Sequence, residues 1–293
     1  MPELLREGYR VRVLDNLTYG GSGLLNNFIQ PNFEFVHGSV LDNNLLKTCL
    51  KDVDFIIHLA ALVGYPACKK NPDLARAVNV QAVKLLASLA DPNQRVLFSS
   101  TVSCYGENLT GVCTEESPLN PISLYAETKA QSEEVIRQMP GSVICRFATA
   151  FGLSPRMRLD LLINDFVYQA VRYKQLIVYE RHFMRGFIHV RDFASFIIYC
   201  IKDFERVKGE TYNVGSEALN LTKEQLALKI NEKVKFFLHF ADVGHDEDRR
   251  NYTISYEKLH KLGFRTAIGL DEGLEELIRG VQTIEVGNPY SNI

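Results

Sequence analysis

The sequence predicts an α/β protein built on a parallel, doubly wound sheet. Short apolar runs, "FEFVHG", "VDFIIHLAA", "QRVLFSS" and "GSVICRFATA", recur between Phe33 and Ala150. Between them lie long helical stretches, "LARAVNVQAVKLLASLA" and "LYAETKAQSEEVIRQM". Strands that alternate with helices of this length need crossover connections, which places the strands parallel and the functional loops at their carboxyl ends.

The elements follow in order. Pro2, Glu3, Leu4 and Leu5 suit a helix closed at Gly8, with proline in the first turn, where a missing N–H costs nothing. Val11 to Leu14 read as a strand, ended by Asp15 and Asn16. In the stretch Leu74–Ala90 the residues Leu74, Val78, Val83, Leu86 and Ala90 fall near helical spacing. The next helix is entered from "NPIS" and stopped by Pro140-Gly141. Beyond Phe151 the alternation loosens into a basic loop "SPRMR", a long helix candidate from Leu159 to Arg172, and mixed pieces ending in "DEGLEELIRGVQTI". Residues 1–150 are expected to form one domain. Residues 151–293 are expected to form mainly a smaller α/β domain over the carboxyl edge of the sheet, with part of the chain around 185–214 returning to the first.

Composition narrows the function. At 293 residues, 46% of them apolar and 23% charged, the chain has ample core for one large or two moderate domains. A net charge of -2 gives no electrostatic reason to expect nucleic acid or an anionic membrane. Six scattered cysteines without a Cys-x-x-Cys favour free thiols in a reducing compartment. With no signal peptide and no membrane-length apolar run, a cytoplasmic protein is expected. The seven histidines show no metal-ligand spacing, so no metal is expected.

Two Tyr-x-x-x-Lys patterns occur, Tyr125/Lys129 and Tyr65/Lys69. Residues four apart share a helix face, so a lysine ammonium can sit near a tyrosine hydroxyl and favour the phenolate. Without such help a phenol is a poor base at neutral pH. Tyr65 precedes Pro66 and reads as part of a structural turn. Tyr125 lies in a good helix, downstream of a strand that ends in the hydroxyl cluster Ser99, Ser100 and Thr101. Such a hydroxyl can share with a tyrosine the proton of a substrate oxygen, which makes Tyr125 the favoured base.

In their order, "IIHLAA", "NPDLARAVNV", "FSSTVSCYG", "NPISLYAETKAQSE", "RGFIHVRDFA" and "YNVGSEALNLTKEQLA" resemble the extended short-chain dehydrogenase/reductase family. The similarity is to its NAD-dependent nucleotide-sugar epimerases and dehydratases, of the UDP-glucose 4-epimerase kind, and runs from Leu4 to about Ile278. The resemblance implies a Rossmann-type domain binding NAD, a smaller domain binding a nucleoside-diphosphate sugar, and a homodimer formed through long helices, including the one that carries Tyr125. It makes Tyr125 the catalytic acid/base, Lys129 its partner and a ribose ligand, and Thr101 the hydroxyl on the reacting sugar oxygen. It assigns Asp15 and Asn16 to the adenosine ribose, Val40 to the adenine, and Leu59, Ala60 and Ala61 to the cofactor lining. Ser99 would lie near the nicotinamide, and Asn79 would anchor the active-site helix. Asn164, Arg185 and Arg250 match positions that face the nucleotide and its diphosphate, which suits forked guanidinium donors. Arg249 competes with Arg250 for that alignment, and a surface charge is the plain alternative for Arg185 and for Arg250.

The shared chemistry implied is oxidation of a sugar carbon, most often C4, to a 4-keto sugar. Returning the hydride to the other face gives epimerisation. A 4,6-dehydratase carries an acid just after the active-site threonine, where this chain has Val102 and Ser103. Epimerisation is therefore preferred, with dehydration, reduction, or a non-catalytic remnant that binds a nucleotide sugar as alternatives. The chain departs from the family pattern at Ser39, where an Asp is usual, and at Cys104, where Val is usual. In a dinucleotide-binding unit the acidic ribose ligand lies about 20 residues beyond a glycine loop. Counted back from Asp15, that loop and its strand fall before Met1, so an amino-terminally truncated sequence is expected. A missing central strand of some five apolar residues would forfeit about 10 kcal/mol of burial, comparable to the stability of a whole domain.

Overall fold

The computed structural model describes residues 1–242 and 250–284. The chain divides into two compact units. One comprises Met1–Ser100, Ser123–Arg146 and Ala194–Thr211; the other comprises Thr101–Ile122, Phe147–Phe193 and Tyr212–Ile293.

In the first unit, Val11–Asp15 pairs in parallel with Phe33–His37, in a register running from Val11 opposite Phe33 to Asp15 opposite His37. Phe55–His58 pairs in parallel with Arg95–Thr101, from Phe55 opposite Arg95 to His58 opposite Phe98. Ser142–Phe147 lies on the other side of Arg95–Thr101 in the same sheet. The parallel α/β arrangement expected from the alternating pattern is present, in two separate sheets. Leu14 from one sheet and Ile56 from the other pack against the same core, which includes Leu46, Val83, Leu86, Phe98, Ile136 and Ile144. One hydrophobic layer therefore backs both sheets, and each large side chain buried there contributes about 1.5–3 kcal/mol.

Three local expectations are corrected. The stretch Leu74–Ala90 is interrupted: Pro72–Arg76 is α-helical, Ala77–Gln81 forms a π turn, and Ala82–Leu89 resumes the α-helix. A π turn takes in an extra residue and rotates the helix beyond it. Leu74 is consequently 47% exposed, while Ala75 and Val83 are fully buried. Tyr65 does not sit in a turn but opens the short helix Tyr65–Lys70, with Pro66 in its first turn, where proline is tolerated. The candidate helix from Leu159 begins only at Leu162 and runs to Tyr168, followed by a π turn over Gln169–Tyr173.

"GSVICRFATA" also yields two strands, Ser142–Phe147 and Thr149–Phe151, in different sheets. Thr149–Phe151 lies parallel to Met184–His189, which pairs antiparallel with Asn220–Thr222. Two further parallel pairs complete the second unit: Phe237–Ala241 with Gln175–Tyr179, and Asn251–Ile254 with Glu107–Cys113. Helix Lys223–Lys233 begins in a capping box in which Thr222 and Gln225 satisfy each other's backbone N–H. Together with Leu162–Tyr168 and Leu270–Thr283 it packs a core around Phe151, Ile163, Val167, Leu226, Leu274 and Leu277. Among the described residues no helix is long and apolar enough to cross a membrane. The six cysteines are buried and none forms a disulfide among the described residues.

Candidate active site

The helix that carries Tyr125, Leu124–Arg137, starts where the Ser123 hydroxyl accepts the Ala126 N–H. Tyr125 is half-buried; Lys129, one turn on, is only 3% exposed. The Lys129 ammonium lies 4.2 Å from the centroid of the Phe98 ring, a position a cation favours over an aromatic face.

Buried polar bonds hold this helix. Asn79, inside the π turn, accepts the Leu62 N–H at 2.7 Å and donates to the Leu62 carbonyl and the Thr128 hydroxyl, both at 3.0 Å. The Ser132 hydroxyl donates to the Asn79 carbonyl at 2.5 Å. The fully buried Glu133 carboxylate accepts from Ser100 and from Arg146, which is itself 3% exposed. Glu133 and Arg146 were not among the expected site residues, and Ser100 was named only as a member of the hydroxyl cluster. The available signal was a glutamate one turn beyond Lys129 facing an arginine inside an otherwise apolar strand.

His58 closes its strand just before Leu59, Ala60 and Ala61. Its ring stacks on Phe98 at 5.9 Å between centroids, and among the described residues its Nε2 has no hydrogen-bond partner. Burial first, and the Lys129 charge second, push its pKa down to about 3, so the ring is neutral at physiological pH.

The residues assigned to NAD by resemblance lie at strand ends and turns of the same unit. Asp15 is exposed at the carboxyl end of its strand; one carboxylate oxygen accepts the Leu17 N–H at 2.7 Å and the other stays available. A free carboxylate oxygen at a strand's carboxyl end is the acceptor that ribose hydroxyls require, so this end of the site fits the dinucleotide. The Asn16 amide oxygen is taken up by the Thr18 N–H and hydroxyl. Val40 lies in the turn after the Phe33–His37 strand. Leu59 is 52% exposed, while Ala60, Ala61 and Ser99 are half-buried.

In the second unit, Thr101 begins a short 3-10 turn, Val102–Tyr105, and its hydroxyl oxygen accepts the Ser103 N–H at 3.1 Å. The same hydroxyl donates to the Ser103 oxygen at 3.0 Å, and Arg250 Nη1 donates to that oxygen as well. The structure thus brings Thr101, Ser103 and Arg250 together. Arg249 lies outside the described residues. Arg185, 3% exposed, donates to the Met184 carbonyl at 3.1 Å and faces the Phe183 ring. Asn164 accepts the Gly152 N–H at 3.1 Å and donates to the Arg158 carbonyl at 2.9 Å, so both ends of its amide shape the loop between those residues.

A parallel α/β unit with a tyrosine, a lysine and a hydroxyl-bearing strand end defines the short-chain dehydrogenase/reductase class, and sequence comparison makes that specific. The model of the NAD dependent epimerase/dehydratase family matches residues 1–215, and the chain belongs to this family of enzymes. It is 30% identical over 283 residues to the low-salt glycan biosynthesis protein Agl12 of Haloferax volcanii, covering 92% of this chain and 89% of that protein. It is 29% identical over 274 residues to the uncharacterized UDP-glucose epimerase YtcB of Bacillus subtilis, covering 88% and 83% respectively. Among solved structures, the dTDP-glucose 4,6-dehydratase DesIV of Streptomyces venezuelae, with NAD and TYD bound, matches with a TM-score of 0.82 and 29% identity, covering 96% of this chain and 91% of that one. The fold is the Rossmann-type fold of these enzymes.

Proposed function

We propose that this protein catalyses NAD-dependent epimerisation of a nucleoside-diphosphate sugar through a transient 4-keto sugar. The observation that carries the reading is the strand end at Thr101: the residues after it are Val102 and Ser103, and Ser103 is bonded to Thr101 and Arg250 rather than replaced by an acid. A 4,6-dehydratase needs a carboxylate base to take the C5 proton and an acid to protonate the departing C6 hydroxyl. Neither side chain here can do so.

In this reading residues 1–150 bind chiefly NAD, with Asp15 and Asn16 on the adenosine ribose and Lys129 on the other ribose. The later chain binds the sugar nucleotide, with Asn164, Arg185 and Arg250 toward the nucleotide. Bound NAD supplies the acceptor and later donor of hydride. Tyr125 removes the proton of the sugar hydroxyl and later returns one, and the Lys129 ammonium, held near by its place one turn on, favours the phenolate. The Thr101 hydroxyl is the group assigned to the reacting sugar oxygen. Dehydration is the second reading, favoured by the likeness to DesIV.

The test is incubation with NAD and either UDP-glucose or dTDP-glucose, followed by proton NMR of the sugar. A C4 epimer supports the reading. A 4-keto-6-deoxy product would replace it with dehydration, and tight binding of the sugar nucleotide without turnover would make the protein a binding module.

A further inference from the structure

We propose that Ser100, Glu133 and Arg146 form a buried clamp that holds Lys129 at a set reach, one turn from Tyr125, which makes them positioning residues. The inference rests on the reading above for what Lys129 does; the clamp itself rests on geometry within one compact unit.

Two contacts join the strand Arg95–Thr101 to the helix Leu124–Arg137 in step. Phe98 receives the Lys129 ammonium over its ring at 4.2 Å, and Ser100 donates its hydroxyl to Glu133. Phe98 and Ser100 are alternate residues and so share one strand face, while Lys129 and Glu133, four apart, share one helix face. Two residues of strand span about 6.6 Å and four of helix about 6 Å, so the two rows match in spacing. Sliding or turning the helix would break the Ser100 bond as it carried the ammonium off the Phe98 ring.

Glu133 is also fixed from a second strand. Arg146, in Ser142–Phe147, donates Nε to Oε1 at 3.0 Å and Nη2 to Oε2 at 2.7 Å. A planar guanidinium sets the orientation of a carboxylate as well as its place. Arg137, exposed on the next turn, approaches Oε2 at 3.4 Å. Ser100, Glu133 and Arg146 are all buried. As a source of stability such a group is poor, because well-packed apolar residues of similar volume often do as well or better. What its bonds add is direction, and Lys129, on a flexible four-carbon stem, is the neighbouring group that needs it. A misplacement of about 1 Å can cost catalysis about 100-fold.

The experiment is NMR of the full chain with its lysines carbon-13 labelled at Cε, the Lys129 signal being assigned by Lys129→Met. Sugar turnover per folded molecule is measured alongside. Protons over an aromatic ring resonate upfield, so the Lys129 Cε protons should be displaced upfield in the unaltered chain. Ser100→Ala and Arg146→Lys each leave Glu133 a cationic partner. Both should move the signal toward that of exposed lysines and lower turnover about 10-fold to 100-fold, with KM for the sugar nucleotide within about twofold. Ser100→Thr, which keeps the hydroxyl, should retain both signal and turnover. An unmoved Lys129 signal in Ser100→Ala and Arg146→Lys would overturn the clamp. So would a turnover loss, in an active chain, no larger than the loss of folded fraction, or a Ser100→Thr variant no better than Ser100→Ala. A signal that moves as expected in a chain that leaves UDP-glucose and dTDP-glucose unturned would support the clamp and overturn the reading of the reaction instead.

Discussion

Glu133, on the Tyr125 helix, takes Arg146 on both carboxylate oxygens, with Nε at 3.0 and 3.2 Å and Nη2 at 2.7 Å. Both side chains are buried, so removing Glu133 takes from the Arg146 guanidinium its bidentate carboxylate in a medium of low dielectric. Glu133→Ala is expected to cost about 3–5 kcal/mol in urea unfolding, and Glu133→Met with Arg146→Met much less than that. A single-substitution cost no larger than that of the double change would show the pair to be solvated in solution.

Asn79 uses one side chain to satisfy the Leu62 backbone and to reach Thr128. Asn79→Ala orphans the buried Leu62 N–H, a loss of about 1–3 kcal/mol, while the Leu62 carbonyl keeps the Cys68 thiol as donor. The Tyr125 helix loses its tie as well, so turnover should fall further than stability alone explains. Turnover that tracks only the folded fraction would deny Asn79 its anchoring role.

His58 makes a prediction about acid. Its folded pKa of about 3 lies below the ordinary histidine value, so between about 3 and 6.5 the unfolded chain binds a proton that the folded chain refuses. Stability should be unaffected by this group above pH 6.5 and fall as the pH drops below it. Each pH step of one below the ordinary histidine value costs about 1.4 kcal/mol, which makes the loss about 2 kcal/mol at pH 5. His58→Phe, which abandons no hydrogen bond of Nε2, should flatten that part of the profile. An unchanged acid slope in the variant would place the titrating group elsewhere.

Tyr125→Phe removes the hydroxyl proposed as the proton acceptor and keeps the ring. Turnover should fall by about 100-fold to 10,000-fold, with little change in melting temperature. Lys129→Met should show a similar loss together with an activity profile displaced to higher pH. Activity within tenfold of the unaltered protein in Tyr125→Phe would exclude the tyrosine as base.

The parallel architecture was legible because strand and helix leave different periods in the apolar residues, and "QRVLFSS" and "LYAETKAQSEEVIRQM" are long enough to show them. Tyr125, Lys129 and Thr101 are candidates through spacing and resemblance. Leu74 misled because helical spacing presumes an unbroken α-helix, and no residue in "ARAVNVQA" announces a π turn. The Glu133–Arg146 pair was hidden because a charged residue in a sequence is ordinarily solvated, and only the folded chain shows it sealed from water. The Ser103–Arg250 bond was hidden for another reason: 147 positions separate its two ends.

The π turn at Ala77–Gln81 also acts as a phase coupling. An α-helix advances about 100° per residue, so a segment with one extra member lets the residues before and after it obey different facings. Asn79 can look toward Leu62 and Thr128 while Val83 and Leu86 still meet the apolar layer. Deleting one residue there would straighten the helix and set these two demands against each other. The register of this segment, more than the identity of any one side chain in it, is what a tolerated insertion or deletion would have to respect.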